Sequence, residues 1–222
     1  WTLVLARNDA QAELLDDLKT SLGDGWARAM TTDLAPVLIP TDRAVNIVEE
    51  GIDVAFYLGH PEESALIRRK IGPCPRVLVA APAYLAARGT PTAPEDLKAH
   101  TCLLMRFPRS PEYYWVLDTP AGPVKLMVAG GFDTDDGSVL TDWALAGAGI
   151  ANRPRYEVAD DLAAGRLVEL LPETPPLPVQ LACLFPHKRL QDPKSRLFIE
   201  FMVAACKRSL ARIPGTTETA TA

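Results

Sequence analysis

Short apolar runs typical of β-strands alternate with stretches typical of helices along this chain of 222 residues. The stretch TDRAVNIVEEG (residues 41–51) predicts a capped helix that ends at Gly51, and the apolar run after it, IDVAFYLG, predicts a strand. The run RVLVA (residues 76–80) leads into a helix that Pro82 can begin at its first turn. Because parallel strands need a crossover element between them, the alternation predicts an α/β fold with helices packed on a parallel sheet.

One segment, GGFDTDDGSVLTDWALAGAGIANRP (residues 130–154), combines an acidic cluster, a helix pattern and a short apolar run. Either Asp135 or Asp136 can accept hydrogen bonds from the free N–H groups of the first helical turn. Gly147 and Gly149 are predicted to end the helix, because glycine tolerates the left-handed backbone found at helix ends. A helix start also carries a positive dipole, so this one is a candidate position for a bound anion or carboxylate.

The composition favours a globular chain whose partner is a small molecule or a protein. With 48% apolar residues, the chain can bury the core of one large or two small domains. No window approaches the roughly 18 apolar residues of a membrane span. The net charge is −5 and the isoelectric point is near 5.3, whereas nucleic-acid binding needs a basic face. We therefore expect this segment to bind neither DNA nor a membrane by itself.

The cysteines and histidines are too scattered to predict a metal site or a disulfide framework. No CxxC, HxH or HxxxH spacing occurs among them. The neighbours of the cysteines are apolar or strand-like, which favours reduced, structural thiols in a cytosolic protein. We expect no cofactor and no metal. The residues concerned are Cys74, Cys102, Cys183, Cys206, His60, His100 and His187.

No enzyme motif is present in the sequence. It lacks G-x-S-x-G, a P-loop and a Rossmann glycine fingerprint. Asp135 and Asp136 can in principle act as an acid–base pair, but no nucleophile or histidine lies at a matching spacing. We therefore predict that the chain is not an enzyme. Its start at Trp1 has no basic region before a long apolar stretch and no initiator Met, so we expect no signal peptide and a fragment or processed product.

A series of ordered segments resembles the effector-binding domain of LysR-type transcriptional regulators. The series runs from about residue 38 to residue 203, and its order carries the resemblance. The segments are DRAVNIVEEGIDVAFYLG, PRVLVAAPAYLAARGTPTAPEDLKAHTCLLMR, Trp115 with GPV following, DDGSVLTDWALAGAGIANRP, LAAGRLVELLP and LFPHKRLQDPKSRLFIEFM.

The resemblance implies the fold of type 2 periplasmic binding proteins, in which two α/β subdomains are joined by two crossover strands. Regulatory subdomain I would begin with residues 1–76, subdomain II would span 77–176, and the chain would return to subdomain I over 177–212. The polar tail 213–222 is expected to be mobile.

The same resemblance implies a ligand-sensing regulator in the cytoplasm. A small-molecule effector would bind between the subdomains, and the domains would assemble into a homodimer or homotetramer. DNA would be contacted only by a missing N-terminal winged helix-turn-helix. A solute-binding protein of a transport system is the alternative with the same architecture, and the lack of a predicted signal peptide disfavours it.

Ligands of open α/β sheets collect beyond the carboxyl ends of the strands, so residues that follow strands are the candidate contacts. Thr41 has two interpretations: its hydroxyl binds the effector, or it caps the helix that begins at Asp42. The candidate effector-binding residues are Asn8, Thr41, Tyr57, Arg106, Asp135, Asp136, Asn152 and Arg153.

The two arginines in this set also have two interpretations. A guanidinium can bind a carboxylate through paired donors, which favours a small carboxylate as effector. Alternatively, Arg106 and Arg153 are solvated charges or form ion pairs with Asp135 or Asp136. Both interpretations remain open at the level of sequence.

Other side chains are expected to pack in the core or to be solvated. Tyr113, Tyr114 and Trp115 lie in a predicted hairpin, where they pack or form a wall for an aromatic effector. The basic run Ile67–Lys70 is predicted to be a solvated turn, with contact to another subunit as the alternative. The methionines expected in the core are Met105, Met127 and Met202.

Overall fold

The computed structural model describes residues 2–4, 37–38, 46–59, 66–107, 110–111, 114–187 and 193–213. The predictions for Asn8 and Thr41 lie outside these residues, as does the predicted tail beyond Ile213. Within the described part of the chain, no helix is both long enough and apolar enough to cross a membrane.

From residue 76 onward, strands and helices follow one another as the sequence pattern predicts. The strands are β1 (Thr2–Val4), β2 (Val37–Leu38), β3 (Val54–Leu58), β4 (Leu66–Cys74), β5 (Arg76–Ala80), β6 (Cys102–Phe107), β7 (Ser110–Pro111), β8 (Tyr114–Thr119), β9 (Gly122–Met127), β10 (Asp133–Thr134), β11 (Ile150–Pro154), β12 (Val168–Leu170) and β13 (Val179–Pro186). The α-helices are α1 (Pro82–Arg88), α2 (Gly137–Leu145), α3 (Ala159–Ala163) and α4 (Pro193–Ala211). Short 3₁₀ helices occupy Pro94–Ala99 and Arg155–Glu157.

The chain divides into two compact units, each with its own sheet. It passes from the first unit to the second within β4 and returns within β13. The first unit comprises Trp1–Thr41, Val45–Gly72 and Gln180–Ser209, and the second comprises Asp42–Ala44, Pro73–Val179 and Leu210–Ala222.

The sheet of the first unit has the order β2-β1-β3-β13-β4. Strand β1 is parallel to both β2 and β3, as predicted. The returning strand β13 is antiparallel to β3, and the alternating pattern does not predict this pair. Helix α4 buries one stripe of apolar side chains at three- and four-residue spacing, as expected for an amphipathic helix. Its buried side chains include Ile199, Met202, Val203 and Ala205.

The sheet of the second unit has the order β10-β6-β11-β5-β12. Strands β10, β6 and β11 are parallel neighbours, whereas β5 runs antiparallel to β11 and β12. Side chains alternate between the two faces of each strand. Each face therefore has its own apolar cluster, and each cluster includes a different neighbouring element.

The β8–β9 hairpin packs on one face of this sheet, and helix α2 packs on the other. We call the sheet face that contacts the hairpin the hairpin face, and the sheet face that contacts α2 the helix face. Each fully buried large apolar side chain contributes about 1.5–3 kcal/mol to folding. The hairpin face includes Leu78, Ala80, Cys102, Leu104, Trp115, Leu117, Leu126 and Ile150. The helix face includes Val77, Val79, Leu103, Leu140, Ala144 and Ala151.

The two glycines predicted to end α2 have different roles. Gly147 has φ +77°, which confirms the left-handed helix end. Gly149 has no such backbone; a Cβ there would lie 2.4 Å from the carbonyl oxygen of Thr101. Gly149 therefore allows the chain to approach the start of β6 closely.

Three further predictions differ from the structure. In the described part of the helix predicted over residues 41–51, residues 47–51 form turns, and Gly51 adopts φ +68°. The basic run Ile67–Lys70 belongs to strand β4 rather than to a turn. Strand β4 is an edge strand of its sheet, and exposed charges on an edge strand discourage pairing with another chain. Met127 is 65% exposed because it lies on the outer side of the hairpin, next to buried Leu126.

Candidate functional site

The start of α2 is capped by Asp136. Its Oδ1 accepts hydrogen bonds from the backbone N–H of Ser138 (2.8 Å) and Val139 (3.4 Å), and from the Ser138 hydroxyl (2.6 Å). Of the two acids predicted to cap the helix, Asp136 does so, whereas Asp135 is exposed. A carboxylate ligand at this position would therefore have to compete with Asp136 for these N–H groups.

Arg153 lies on β11 and is buried beside the same helix. Its Nε donates to Oγ1 of Thr141 (3.1 Å), and its Nη2 pairs with the carboxylate of Glu157. The guanidinium fills the space beside Gly137, where a Cβ would lie 2.5 Å from Nη2. Only 7% of the Arg153 side chain and 13% of the Glu157 side chain are exposed. This pair is therefore largely shielded from water, and the hydrogen bond from Arg153 to Thr141 joins β11 to α2.

Glu157 extends the network to the half-buried Tyr156. The Tyr156 hydroxyl donates to Oε1 of Glu157 (2.9 Å). Burial raises the pKa of Tyr156 above its ordinary value, and the nearby carboxylate of Glu157 raises it further. Burial, followed by the charge of Glu157, raises the pKa of Cys74 to about 12. The interactions of Glu157 are thus made within the second unit, which indicates a structural role.

Arg106 forms a more exposed ion pair. Strand β10 places Asp133 opposite Leu104, two residues before Arg106. The Arg106 guanidinium pairs with Asp133, an acid that the sequence pattern does not single out. The side chains are 59% and 35% exposed, so water screens the pair and its net stabilisation is about 0–1 kcal/mol. A ligand carboxylate can compete with Asp133 at small cost.

Asn152 faces away from Arg153, because adjacent side chains of β11 point to opposite faces of the sheet. It lies opposite Leu78 of β5 and is 4% exposed. Its Oδ1 is buried and accepts no hydrogen bond from the described residues. Burying an amide oxygen without a donor costs about 1–3 kcal/mol. Asn152 therefore retains hydrogen-bonding capacity that this part of the chain does not use.

The parallel strands of the second unit end at one edge of the sheet, where α2 begins. The structure thus places Arg106, Asp136 and Arg153 toward the same edge, although Arg106 and Arg153 lie within β6 and β11 rather than after these strands as predicted. On β6, Arg106 lies on the same side as Cys102 and Leu104, which is the hairpin face. Arg153 contacts α2 on the helix face. The two arginines therefore do not form a common pair of donors.

Tyr57 lies in the first unit, near the end of β3, and is 41% exposed. Its ring covers Gly59, where a Cβ would lie 3.1 Å from ring atom Cε1. The N–H of Gly59 donates to the backbone oxygen of Gln180 on β13 (2.9 Å). Oε1 of Gln180 is buried and has no donor among the residues that the structure describes. Gln180, in the apolar run VQLACLF, is not among the residues that the sequence pattern singles out.

The aromatic residues of the hairpin divide between packing and exposure. Trp115 is 2% exposed and belongs to the cluster of the hairpin face, which confirms its packing role. Tyr114 is 47% exposed, and Nζ of Lys125 lies 4.3 Å from its ring centroid. Tyr113 lies outside the described residues.

The cysteines are free thiols. Burial raises the pKa of Cys102 and Cys183 to about 12, and that of Cys206 to about 11. Such thiols stay protonated at neutral pH and are weak nucleophiles. Within the described ranges, no group of three or more His, Cys, Asp or Glu residues could hold a metal ion.

A family model described as the LysR substrate binding domain matches residues 28–207. The chain is similar to the HTH-type transcriptional regulator DmlR of Escherichia coli (strain K12), with 32% identity over 161 residues, or 72% of this chain and 52% of that protein. It is also similar to the HTH-type transcriptional regulator CrgA of Neisseria meningitidis serogroup C (strain 8013), with 30% identity over 167 residues, or 75% and 55% of the two chains. The chain thus spans about half the length of these relatives.

Solved structures show the same fold. The regulatory domain of AphB in Vibrio vulnificus has a TM-score of 0.69 and 27% identity, covering 92% of this chain and 98% of that one. The CrgA regulatory domain from Neisseria meningitidis has a TM-score of 0.72 at 23% identity, covering 92% and 97%. These structures confirm the predicted α/β fold of the type 2 periplasmic-binding-protein class. On the match of residues 28–207 and the similarity to these regulators, the chain belongs to the LysR family of transcriptional regulators, as an effector-binding domain.

Proposed function

We propose that this domain binds a small effector molecule in the cleft between its two subdomains and transmits that binding to the DNA-binding part of a full-length regulator. The observation that carries the proposal is the match of residues 28–207 to the LysR substrate binding domain. The similar curated proteins are transcriptional regulators rather than enzymes, which supports binding without turnover.

In this proposal the chain forms two regulatory subdomains. Subdomain I comprises residues 1–76 and 177–212, and subdomain II comprises residues 77–176. An effector shifts the arrangement of the subdomains only as far as it binds one arrangement more tightly than another. The shift then alters the geometry of the oligomer, so that effector affinity and DNA affinity are coupled reciprocally.

The proposed regulator is a cytoplasmic homodimer or homotetramer. It would contact DNA through an N-terminal winged helix-turn-helix, which this chain does not include. The net charge of −5 supports DNA contact by another part of the regulator, because a phosphate-binding surface needs excess positive charge.

A small carboxylate is the proposed effector class. Of the two arginines in the candidate set, Arg106 is the better carboxylate partner, because its pair with Asp133 is exposed. Arg153 is held by Thr141 and Glu157, so a ligand would have to break a buried pair to reach it. The proposed contact residues are Asn8, Thr41, Tyr57, Arg106, Asp135, Asp136, Asn152 and Arg153.

A thermal-shift screen of the 222-residue chain tests this function. The panel pairs small aliphatic and aromatic carboxylates with their uncharged amides. A ligand at about 100 times its Kd stabilises the folded state by about 2.7 kcal/mol. For a domain of this size each kcal/mol raises the Tm by roughly 2–4 °C. We expect a rise of several degrees with at least one carboxylate and a smaller rise with its amide.

The matched controls for this screen are two arginine variants. Arg106→Ala should weaken the response to a carboxylate. Arg166→Ala should leave it intact, because exposed Arg166 pairs with Asp161 away from the sheet edge. Equal responses of both variants would contradict the assignment of Arg106, and chemical conversion of a ligand by the purified chain would contradict the binding role.

A further inference from the structure

We propose that the outer side of the β8–β9 hairpin is an interface with a second copy of this chain, in which two hairpins pack face to face in opposite directions. The proposal rests on the homo-oligomer of the proposed function and extends it by naming a surface through which copies associate. The outer side is formed by Tyr114, Val116 and Asp118 of β8 and by Pro123, Lys125 and Met127 of β9.

These six residues form three cross-strand pairs within the second unit. From the open end of the hairpin to its turn, the pairs are Tyr114 with Met127, Val116 with Lys125, and Asp118 with Pro123. Side chains alternate between the two sides of a strand. The residues between these pairs, such as Trp115 and Leu126, are therefore buried on the other side of the hairpin.

The open end of the outer side exposes two large apolar side chains next to each other. Tyr114 is 47% exposed and Met127 is 65% exposed, and the two residues are directly opposite. Val116 beside them is half-buried. A single exposed apolar side chain is normal at a protein surface, but adjacent ones beside charged groups are typical of an interaction site. Aromatic residues and methionine are also enriched in protein interfaces.

One positive and one negative side chain lie on the same outer side. Lys125 belongs to the middle pair and Asp118 to the pair next to the turn, and both are exposed. Nζ of Lys125 lies 4.3 Å from the ring centroid of Tyr114, so the ammonium group is directed toward the open end. Neither Lys125 nor Asp118 forms an ion pair with another described residue. Each charge is thus available to an opposite charge on another molecule.

The order of these groups makes the outer side complementary to itself. In the proposed packing a two-fold axis relates the hairpins, and the turn end of one lies over the open end of the other. Asp118 of one copy then meets the ammonium group of Lys125 in the second copy, and the symmetry forms the same contact twice. The contact covers the exposed side chains of Tyr114 and Met127 in both copies.

The charges favour a second copy over a nucleic acid or a charged peptide. The outer side carries one charge of each sign, so a polyanion or a polycation is attracted by one charge and repelled by the other. The whole chain has a net charge of −5, which further disfavours a nucleic acid. A copy of the same surface pairs both charges at once, which is the complementarity that specific interfaces show.

Sedimentation velocity of the 222-residue chain at several concentrations measures the association. Lys125→Glu and Asp118→Lys each bring like charges together, and we expect each to raise the Kd of association at least about tenfold. The double variant Lys125→Glu/Asp118→Lys should return the Kd close to the wild-type value, because the reversed charges attract again. The matched control is Lys207→Glu, which makes the same change at an exposed residue of α4 in the first unit and should leave the Kd unchanged.

The apolar part of the contact is tested by two changes at Met127. Met127→Glu places an acid near Asp118 of the second copy and should raise the Kd, whereas Met127→Leu keeps an apolar surface and should retain association. Because Met127, Lys125 and Asp118 are exposed, all of these variants should keep the wild-type circular dichroism spectrum. The spectrum thus separates lost association from lost folding.

Three outcomes would overturn the proposal. The first is an unchanged Kd in both single charge variants, which would leave the homo-oligomer of the proposed function to another surface. The second is a double variant that stays as weak as the single variants, because contact between Lys125 and Asp118 defines the packing. The third is a wild-type chain that stays monomeric at the highest concentration. Effector binding is measured separately by thermal shift, so none of these outcomes by itself contradicts that part of the proposed function.

Discussion

The two faces of the second unit's sheet differ in the hydrogen-bond partners of their buried polar side chains. On the helix face, Arg153 donates to Thr141 and pairs with Glu157, which also accepts from Tyr156. On the hairpin face, Asn152 is buried, and its Oδ1 accepts no hydrogen bond from the residues that the structure describes. Asn152 and Arg153 are neighbours in sequence, yet the pleat of β11 gives them opposite environments.

This difference distinguishes polar groups that stabilise the fold from polar groups that gain stability when a ligand binds. A buried polar network whose members are satisfied rigidifies its surroundings, because breaking any member leaves a costly unpaired group. A buried group without a partner destabilises the ligand-free domain and gains most from a ligand. We therefore expect substitutions that break the network of the helix face to lower stability.

Removal of the buried carboxylate should have the largest effect. Glu157→Leu leaves the Arg153 guanidinium in a site that is 7% exposed, without its counter-charge. We expect the free energy of unfolding, measured by urea denaturation, to fall by about 3–5 kcal/mol. The double variant Arg153→Met/Glu157→Leu should recover much of that loss, because it removes both charges together.

The control for this prediction is Glu169→Leu. Glu169 accepts two hydrogen bonds from Arg155 (2.6 and 2.8 Å), but these side chains are 25% and 24% exposed. Water can solvate Arg155 after the change, so the loss should be smaller than for Glu157→Leu. Equal losses would show that burial does not distinguish the two pairs.

A methyl group beside Arg153 should have the next largest effect. In Gly137→Ala the new Cβ would lie 2.5 and 2.8 Å from the Arg153 guanidinium nitrogens, so the buried pair or the start of α2 must shift. We expect a loss of about 1–3 kcal/mol in urea unfolding. Gly131→Ala is the matched control, because its Cβ would meet no atom within 4 Å, and it should change stability by less than about 0.5 kcal/mol.

The cap of α2 should contribute less. Asp136→Ala removes the acceptor for the N–H groups of Ser138 and Val139, and we expect a loss of about 1 kcal/mol. Asp135→Ala changes an exposed acid that does not cap the helix, so it should be close to neutral. A larger loss from Asp135→Ala than from Asp136→Ala in thermal unfolding would contradict the assignment of the cap.

The exposed ion pair at the sheet edge should have the smallest effect on stability. Arg106→Ala removes a pair whose side chains are 59% and 35% exposed, and we expect a loss of about 0.2–1 kcal/mol. Salt should reduce this loss further, because ions screen exposed charges. A loss as large as that of Glu157→Leu, measured at high salt, would remove the distinction between the two arginine pairs.

Local features of the second unit were predictable from the sequence. The cap at Asp136, the helix after it and the left-handed Gly147 depend on residues within a few positions of one another. The first turn of α1 at Pro82 and the β8–β9 hairpin were predictable for the same reason. Backbone hydrogen bonding and allowed dihedral angles decide such features locally.

The partners of the arginines were not predictable in this way. Asp133 reaches Arg106 because β10 pairs with β6 in one particular register, 27 residues apart in sequence. The basic run Ile67–Lys70 suggested a turn, but pairing with the sheet makes it part of β4. Strand register depends on the packing of whole faces, which no short window of sequence contains.

The sequence by itself determined the α/β class, the order of strands and helices after residue 76, and the resemblance to LysR regulators, because these follow from hydrophobic periodicity and from ordered segments along the chain. Tertiary structure alone decided which face each candidate side chain occupies and which polar groups are already paired. Asn152 and Arg153 could not be told apart by their neighbours in sequence. Pairing separates them, because Glu157 pairs with the buried guanidinium of Arg153, whereas Oδ1 of Asn152 is buried without a donor among the residues that the structure describes.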